Sequence, residues 1–204
     1  MTDSAQPSAP PATTSGQTPT LLLPEWSAEL TTLSDLRLNV RPTSPDDEAL
    51  LVEFFTHVAP DDVRFRFLTP MKEVRHDQLK TLLDVDHSNT ENFLAFDESG
   101  KTLVATAMLA AEPSLERAEV AIAIRSDFKH RGIGWVLLQY VADQAAQRGI
   151  KTLESIECRD NREAIALETE MGFTATTCPG DATLVLVRKD LAGPQKPASV
   201  HGAG

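Results

Sequence analysis

The chain has 204 residues, 41% of them hydrophobic, and a formal net charge of −11. That length suits one domain with tails and permits a full core, and the acidic balance argues against a nucleic-acid partner, whose phosphates need a basic face. Two cysteines form neither a metal spacing nor a disulfide framework, no apolar run is long enough for a bilayer, and the start lacks a signal-peptide pattern, so a cytoplasmic protein with no membrane partner is expected.

Residues 1–33 read as a disordered or loosely docked tail, because the first twenty or so are Pro, Ser, Thr and Ala with almost nothing to bury. The run from Leu21 to Trp26 is an apolar patch suited to docking on the body or on a partner. The body is expected from residue 34 to 190, and 191–204 reads as a second loose tail. Alternation over Leu36, Leu38 and Val40 predicts a strand that Pro42 ends. Ser44-Pro45-Asp46-Asp47-Glu48 then has a cap, a proline at the first helical position and acids in the first turn, which starts a helix carrying Leu50, Leu51, Phe54 and Phe55. Pro60-Asp61-Asp62 opens a second helical piece with Val63–Leu68, and a third helix is expected from about Glu73 to Leu83. Strands follow at Asn92–Phe96 and Leu103–Ala110 around the turn Asp97–Lys101.

The most informative stretch runs from Ala118 to Gly149. Val120 to Ile124 alternates with period two. Arg125, Lys129, His130 and Arg131 come next, then Gly132, Ile133 and Gly134. Trp135, Leu138, Val141, Ala142 and Ala145 recur at helical spacing, with Trp135 and Leu138 expected in the core, until Gly149 stops the helix. A glycine loop that opens a helix leaves backbone N–H groups unpaired at the positive end of the helix dipole, and the neighbouring cations make that spot attractive to a diphosphate. The spacing is neither a dinucleotide fingerprint, since Leu137 stands at its third glycine, nor a P-loop. Beyond it, a strand at Thr152–Cys158, a helix at Asp160–Met171 with Asp160 and Glu163 as its capping box, and strands at Phe173–Thr177 and Ala182–Val187 complete the order. The fold class is α+β (mixed α/β) around one mostly antiparallel sheet, with the two strands flanking the Trp135 helix parallel.

Lys129-His130-Arg131-Gly132-Ile133-Gly134 resembles the [RQ]-x-x-G-x-[GA] motif of the GNAT superfamily of acetyl-CoA-dependent N-acyltransferases, with Lys129 where Arg or Gln is usual. Asn161 to Leu167 with Met171-Gly172-Phe173 resembles a second segment of that family, and the resemblance covers roughly Leu36 to Arg188. It implies the GNAT fold, in which the two parallel strands splay and acetyl-CoA wedges between them. It also implies acetyl-CoA contacts at Ile122, Ile124, Lys129, His130, Arg131, Gly132, Ile133, Gly134 and Asn161, with Asn161 equally readable as a helix cap. Members of the family often carry a tyrosine seven residues after this asparagine to protonate the leaving thiolate; Glu168 stands there. Leu38 to Pro42, Pro45 to Glu48, Val63 to Phe67 and His76-Asp77 look like the corresponding parts of Pat-type bacterial protein lysine acetyltransferases.

Acetylating an amine needs a base, because a lysine of pKa about 10.4 is neutral in only about one molecule per thousand near pH 7.4. Glu119 is the candidate catalytic residue. It starts the central strand on the face of Ala121 and Ala123, whose small side chains leave room, and it matches the strand glutamate that serves as base in many family members. Glu112 and Glu116 are its rivals. The thioester carbonyl is expected to meet a backbone N–H near Ile122 or Ile124. Cys158 lacks a paired histidine for a nucleophile, and His57, His76 and His87 lack a metal spacing, so no metal is expected. Arg64 and Arg66, alternating with Phe65 and Phe67, form either an amphipathic core helix or a wall facing the acceptor. Three functions follow: transfer of an acetyl group to a protein lysine, transfer to a small amine, or sensing of acyl-CoA without transfer.

Overall fold

The structure is a computed structural model and describes residues 26–69 and 74–191. Eight strands form one sheet in the order β1-β2-β3-β4-β5-β6-β8-β7. They are β1 (Ala28–Thr31), β2 (Arg37–Pro42), β3 (Thr90–Asp97), β4 (Leu103–Ala111), β5 (Arg117–Ile124), β6 (Thr152–Cys158), β7 (Thr174–Thr177) and β8 (Leu184–Asp190). Every neighbouring pair is antiparallel except β5 and β6, which are parallel. The reason is covalent: α4 (Ile133–Gln147) crosses over between them, and a helical crossover returns the chain in the same direction. This is the expected α+β architecture with a single parallel pair.

Two helical layers cover the sheet. On one face lie α1 (Glu48–Thr56), α2 (Pro60–Phe67) and α3 (His76–Leu83), and on the other lie α4 and α5 (Arg162–Glu170). Successive side chains of β3 feed both layers. Phe93 and Ala95 join the core beneath α4, whereas Leu94 and Phe96 join the core beneath α1 to α3. A central strand buried on both sides needs an unbroken apolar run, and Phe93 to Phe96 supplies one.

The expected first helix splits into a 3-10 turn at Pro45–Asp47 and then α1. Its capping box is real: the Ser44 N–H donates to Asp47 Oδ2 at 2.8 Å. The third helix begins at His76, and the expected start at Glu73 falls outside the described residues. The α5 capping box does not form. Asn161 is the N-cap, without a side-chain bond to the helix, because the Arg162 N–H donates to the Asp160 carbonyl and holds Asp160 outside the first turn.

The sheet also begins before residue 34, where the body was expected to start. β1 pairs with β2 from Ala28↔Val40 to Thr31↔Arg37. Of the Leu21 to Trp26 patch only Trp26 is described. It is buried against Phe93, the Arg148 guanidinium lies 3.7 Å from its ring centre, and its carbonyl accepts from the Tyr140 hydroxyl at 2.6 Å. Residues 1–25 and 192–204, the rest of the two expected tails, fall outside the described residues.

Candidate active site

The parallel pair is short. Its register runs Arg117↔Thr152, Ala118↔Leu153 and Glu119↔Glu154, and then stops. β5 nevertheless stays on β4 as far as Ile124, and β6 stays on β8 as far as Cys158. The two strands therefore diverge after Glu119 and open a gap in the sheet. The Arg125 N–H donates to the Val104 carbonyl at 2.9 Å. Antiparallel alternation from that bond turns the N–H groups of Ile124 and Ile122 away from β4 and toward the gap.

The glycine loop lies at the wide end of the gap. His130 (φ 60°) and Gly132 (φ 80°) both adopt the left-handed region. The backbone N–H groups of residues 130–135 have no acceptor among the described residues, and the first helical bond of α4 runs from Val136 to Gly132. Gly132 caps the helix without a side-chain bond, so the orphan donors converge beside the positive end of a 15-residue helix. A β-carbon at Gly132 would sit 3.4 Å from Thr32, and Ser34 Oγ donates to the Arg131 carbonyl at 3.0 Å, so the turn after β1 braces the loop from below. At Gly134 a β-carbon would meet Leu167 at 3.3 Å and Ile124 at 3.4 Å, so the glycine lets α4, α5 and β5 converge.

The cations around the loop are not equivalent. Arg131 is exposed and stacks on Phe128 at 4.9 Å. Arg125 is held by Glu53 and Asp127. The Lys129 ammonium sits 2.8 Å from Asp62 on α2 and 3.8 Å from Glu163 on α5, so its side chain ties three elements together instead of pointing at the loop. Trp135 was expected in the core, but it is 38% exposed, because it lies about 200° around α4 from the buried Ile133 and Leu137; Leu138, one turn on, is buried.

At the narrow end, Glu119 is exposed on the α1–α3 face and has no hydrogen-bond or ion-pair partner among the described residues. Its rivals are paired, Glu112 with Arg117 at 2.7 Å and Glu116 with Lys151. Arg66 reaches down from α2, and its Nη2 approaches Met108 Sδ at 3.4 Å while its Nε is buried without a partner among the described residues. Burial pulls its pKa down to about 10, against the charges of Glu119 and Glu157. Arg64 and Arg66 lie over the rings of Phe65 and Phe67, at 4.6 and 5.3 Å, and Phe67 packs on Phe55.

A carboxyl pair lines the diverged edge of β6, and this was missed from the sequence. Ser155 Oγ donates to Glu168 Oε1 at 2.6 Å, and the Asn161 amide donates to Glu157 Oε2 at 2.6 Å. Burial pushes Glu168 up to about 7; burial and then the charge of Glu168 push Glu157 up to about 8. The available signal was the alternation Leu153, Ser155, Glu157, which puts polar side chains on the inward face of a strand. Burial also raises the Cys158 thiol, and no histidine bonds it among the described residues. His57, His76 and His87 pair separately with Glu53, Glu48 and Glu91, and no cluster of metal-ligating side chains occurs among the described residues.

A profile of the acetyltransferase (GNAT) family matches residues 52–173. The chain belongs to the GNAT acetyltransferase family. An acetyltransferase from Pseudomonas aeruginosa is 28% identical over 151 residues, spanning 73% of this chain and 81% of its own length. Among solved structures, the GNAT domain of S. lividans PAT superposes with a TM-score of 0.76 at 22% identity, covering 82% of this chain and 98% of that one. A spermidine N-acetyltransferase from Vibrio cholerae, solved with CoA and spermine, gives 0.61 at 17% identity, covering 76% and 95%. The chain is accordingly an acetyltransferase enzyme. No helix among the described residues is long and apolar enough to cross a membrane.

Proposed function

We propose that this GNAT enzyme moves the acetyl group of acetyl-CoA to an amine, with a protein lysine side chain as acceptor and Glu119 as the base. The observation that carries the reading is the pairing of two features across one gap: a row of unsatisfied N–H donors at residues 130–135 and an unpartnered carboxylate at Glu119. The donors suit the diphosphate of acetyl-CoA, and an extended arm fits along the diverged edge of β5. There the N–H of Ile122 or Ile124 polarises the thioester carbonyl. Arg131 adds an exposed positive charge, and the main-chain N–H groups of residues 130–135 do the rest.

The acceptor enters as an ammonium ion. Glu119 takes its proton, directly or through a water, and the freed amine attacks the carbonyl carbon. The carbon–nitrogen bond forms, the carbon–sulfur bond breaks, and CoA leaves as a thiolate that takes up a proton. No covalent enzyme intermediate is needed. The acidic chain supports steering of lysine-bearing surfaces, and the upstream resemblance to Pat-type enzymes points the same way.

The test is CoA release from acetyl-CoA with a lysine-containing protein and with small amines including spermine. The protein should be acetylated at least tenfold more efficiently, and the reverse ranking replaces the lysine reading by a small-amine one. Glu119→Gln should lower kcat by about 10²–10⁴-fold while leaving acetyl-CoA affinity within about twofold, and unchanged turnover removes Glu119 from the role.

A further inference from the structure

Glu168 is a buried acidic group at the gap with an unfilled bonding position. It is 5% exposed, Ser155 supplies its one hydrogen bond, and its Oε2 is buried with no partner among the described residues. Its location is equally specific. The β5–β6 ladder ends at Glu119↔Glu154, so Ser155 is the first β6 residue past the point of divergence. Leu167, the neighbour of Glu168, shares the space beside Gly134 with Ile124 of β5. α5 therefore spans the gap from β6 to the first turn of α4 and walls it on one face, with the Glu168 carboxyl on the β6 side of that wall.

The charged and titratable groups around this carboxyl are few. Ser155 and Glu157 face it from β6, and Asn161 on α5 is engaged by Glu157. Arg66 approaches from α2, but its field falls on Glu157 and Glu119. Lys189 of β8 is directed to the Met171 carbonyl at 2.9 Å, and Lys129 is held by Asp62. No cation contacts Glu168 among the described residues, and a second, half-buried carboxyl stands next to it. A pair of this kind retains a proton near neutrality.

We propose that Glu168 is an acyl-CoA contact that works only when protonated, its carboxyl turning from its enclosed position so that the O–H donates to an amide carbonyl of the pantetheine arm, and that binding draws a proton onto the Glu157–Glu168 pair. This rests on the reading that acetyl-CoA fills the gap. Two effects act in the same direction. The arm shields the half-buried Glu157 from solvent, which disfavours charge on the pair, and its amide carbonyls accept an O–H but repel a carboxylate. The proton comes from solvent, and no covalent step is involved.

The experiment is titration calorimetry of the full chain with acetyl-CoA in buffers of different ionisation enthalpy. Acetyl-dephospho-CoA runs alongside, because the 3′-phosphate of CoA itself titrates with a pKa of about 6. The free-state value of about 7 gives an expected uptake of roughly 0.7 proton near pH 7.5, and affinity should weaken about eightfold between about pH 6.5 and 8 with either donor. Glu168→Gln keeps the shape, the bond from Ser155 and an N–H donor. It should bind within about threefold of wild type at the lower pH and lose the pH dependence. Wild-type protein that takes up no proton overturns the inference without any variant, as does a Glu168→Gln protein that takes up as much. Failure of wild type to bind acetyl-CoA at all overturns the underlying reading instead.

Discussion

Two buried carboxyls, Glu91 on β3 and Glu168 on α5, are handled in opposite ways. Glu91 is completely buried, and both of its oxygens are satisfied: the Asn92 N–H donates to Oε1 at 2.9 Å, and His87 Nδ1 lies 2.8 Å from Oε2. Burial raises its pKa, and His87 and Arg148 pull against that rise. Glu168 has one partner and no cation. The same contrast holds for the backbone. From β1 to β5 the ladders continue strand to strand, whereas between β5 and β6 pairing stops at Glu119 and leaves donors idle. Unpaired polar atoms occur in both halves, Asn92 Oδ1 on β3 and Thr106 Oγ1 on β4 among them, but among the described residues only the β5–β6 divergence combines an interrupted ladder with an unpaired buried carboxyl oxygen. Burial alone therefore does not distinguish the two carboxyls; what differs is that Glu168 lacks a counter-charge among the described residues and stands where the parallel ladder ends.

The sharpest way to break the contrast is on the closed side. Phe93→Ala empties a fully buried site that contacts Trp26 and Tyr140, and should cost about 3–5 kcal/mol of unfolding free energy in a denaturant titration while leaving acetyl-CoA affinity within about twofold. Glu91→Ala should come next, at about 3 kcal/mol, because it strands His87 and the Asn92 N–H. On the open side the sign reverses. The folded-state value of Glu168, about 7, lies above the ordinary carboxyl value of 4.5, so its contribution is fully present below the unfolded value and is lost as pH rises through the folded one. Glu168→Gln should therefore stabilise the protein by roughly 1–3 kcal/mol near pH 8 and change little near pH 4, as read from melting curves across pH. The smallest effect is the control. Arg37→Ala removes an exposed pair with Glu98 and should move stability by less than about 0.5 kcal/mol.

Legibility in the sequence followed the range of the interactions. The strand, loop and helix from Ala118 to Gly149 are set by local alternation, glycine placement and helical spacing, and those signals lie within a few residues of what they control. Gly149 stops α4 in the left-handed conformation, at φ 82°, as its position suggested. β1 was not legible because Ala28–Thr31 is a four-residue edge strand whose alternation, Ala, Glu, Leu, Thr, is too short to stand out. The Lys129 side chain was misjudged because its partner, Asp62, is 67 positions away and is brought to it only by α2 docking on β5. Glu157 and Glu168 belong to different elements, and nothing local reveals that β6 turns its inward face toward α5 just where the parallel ladder ends.

The brace beneath the anion loop has a practical consequence. Thr32 and Ser34, which support Gly132 and the Arg131 carbonyl, lie upstream both of the family-matched region and of the strand that the alternation pattern announces. A shortened protein begun at Leu36 would keep every recognisable signature and still lose the shelf on which its glycine turn rests. Its ordered β-sheet would remain, but a left-handed histidine and glycine would have to hold their shape unaided.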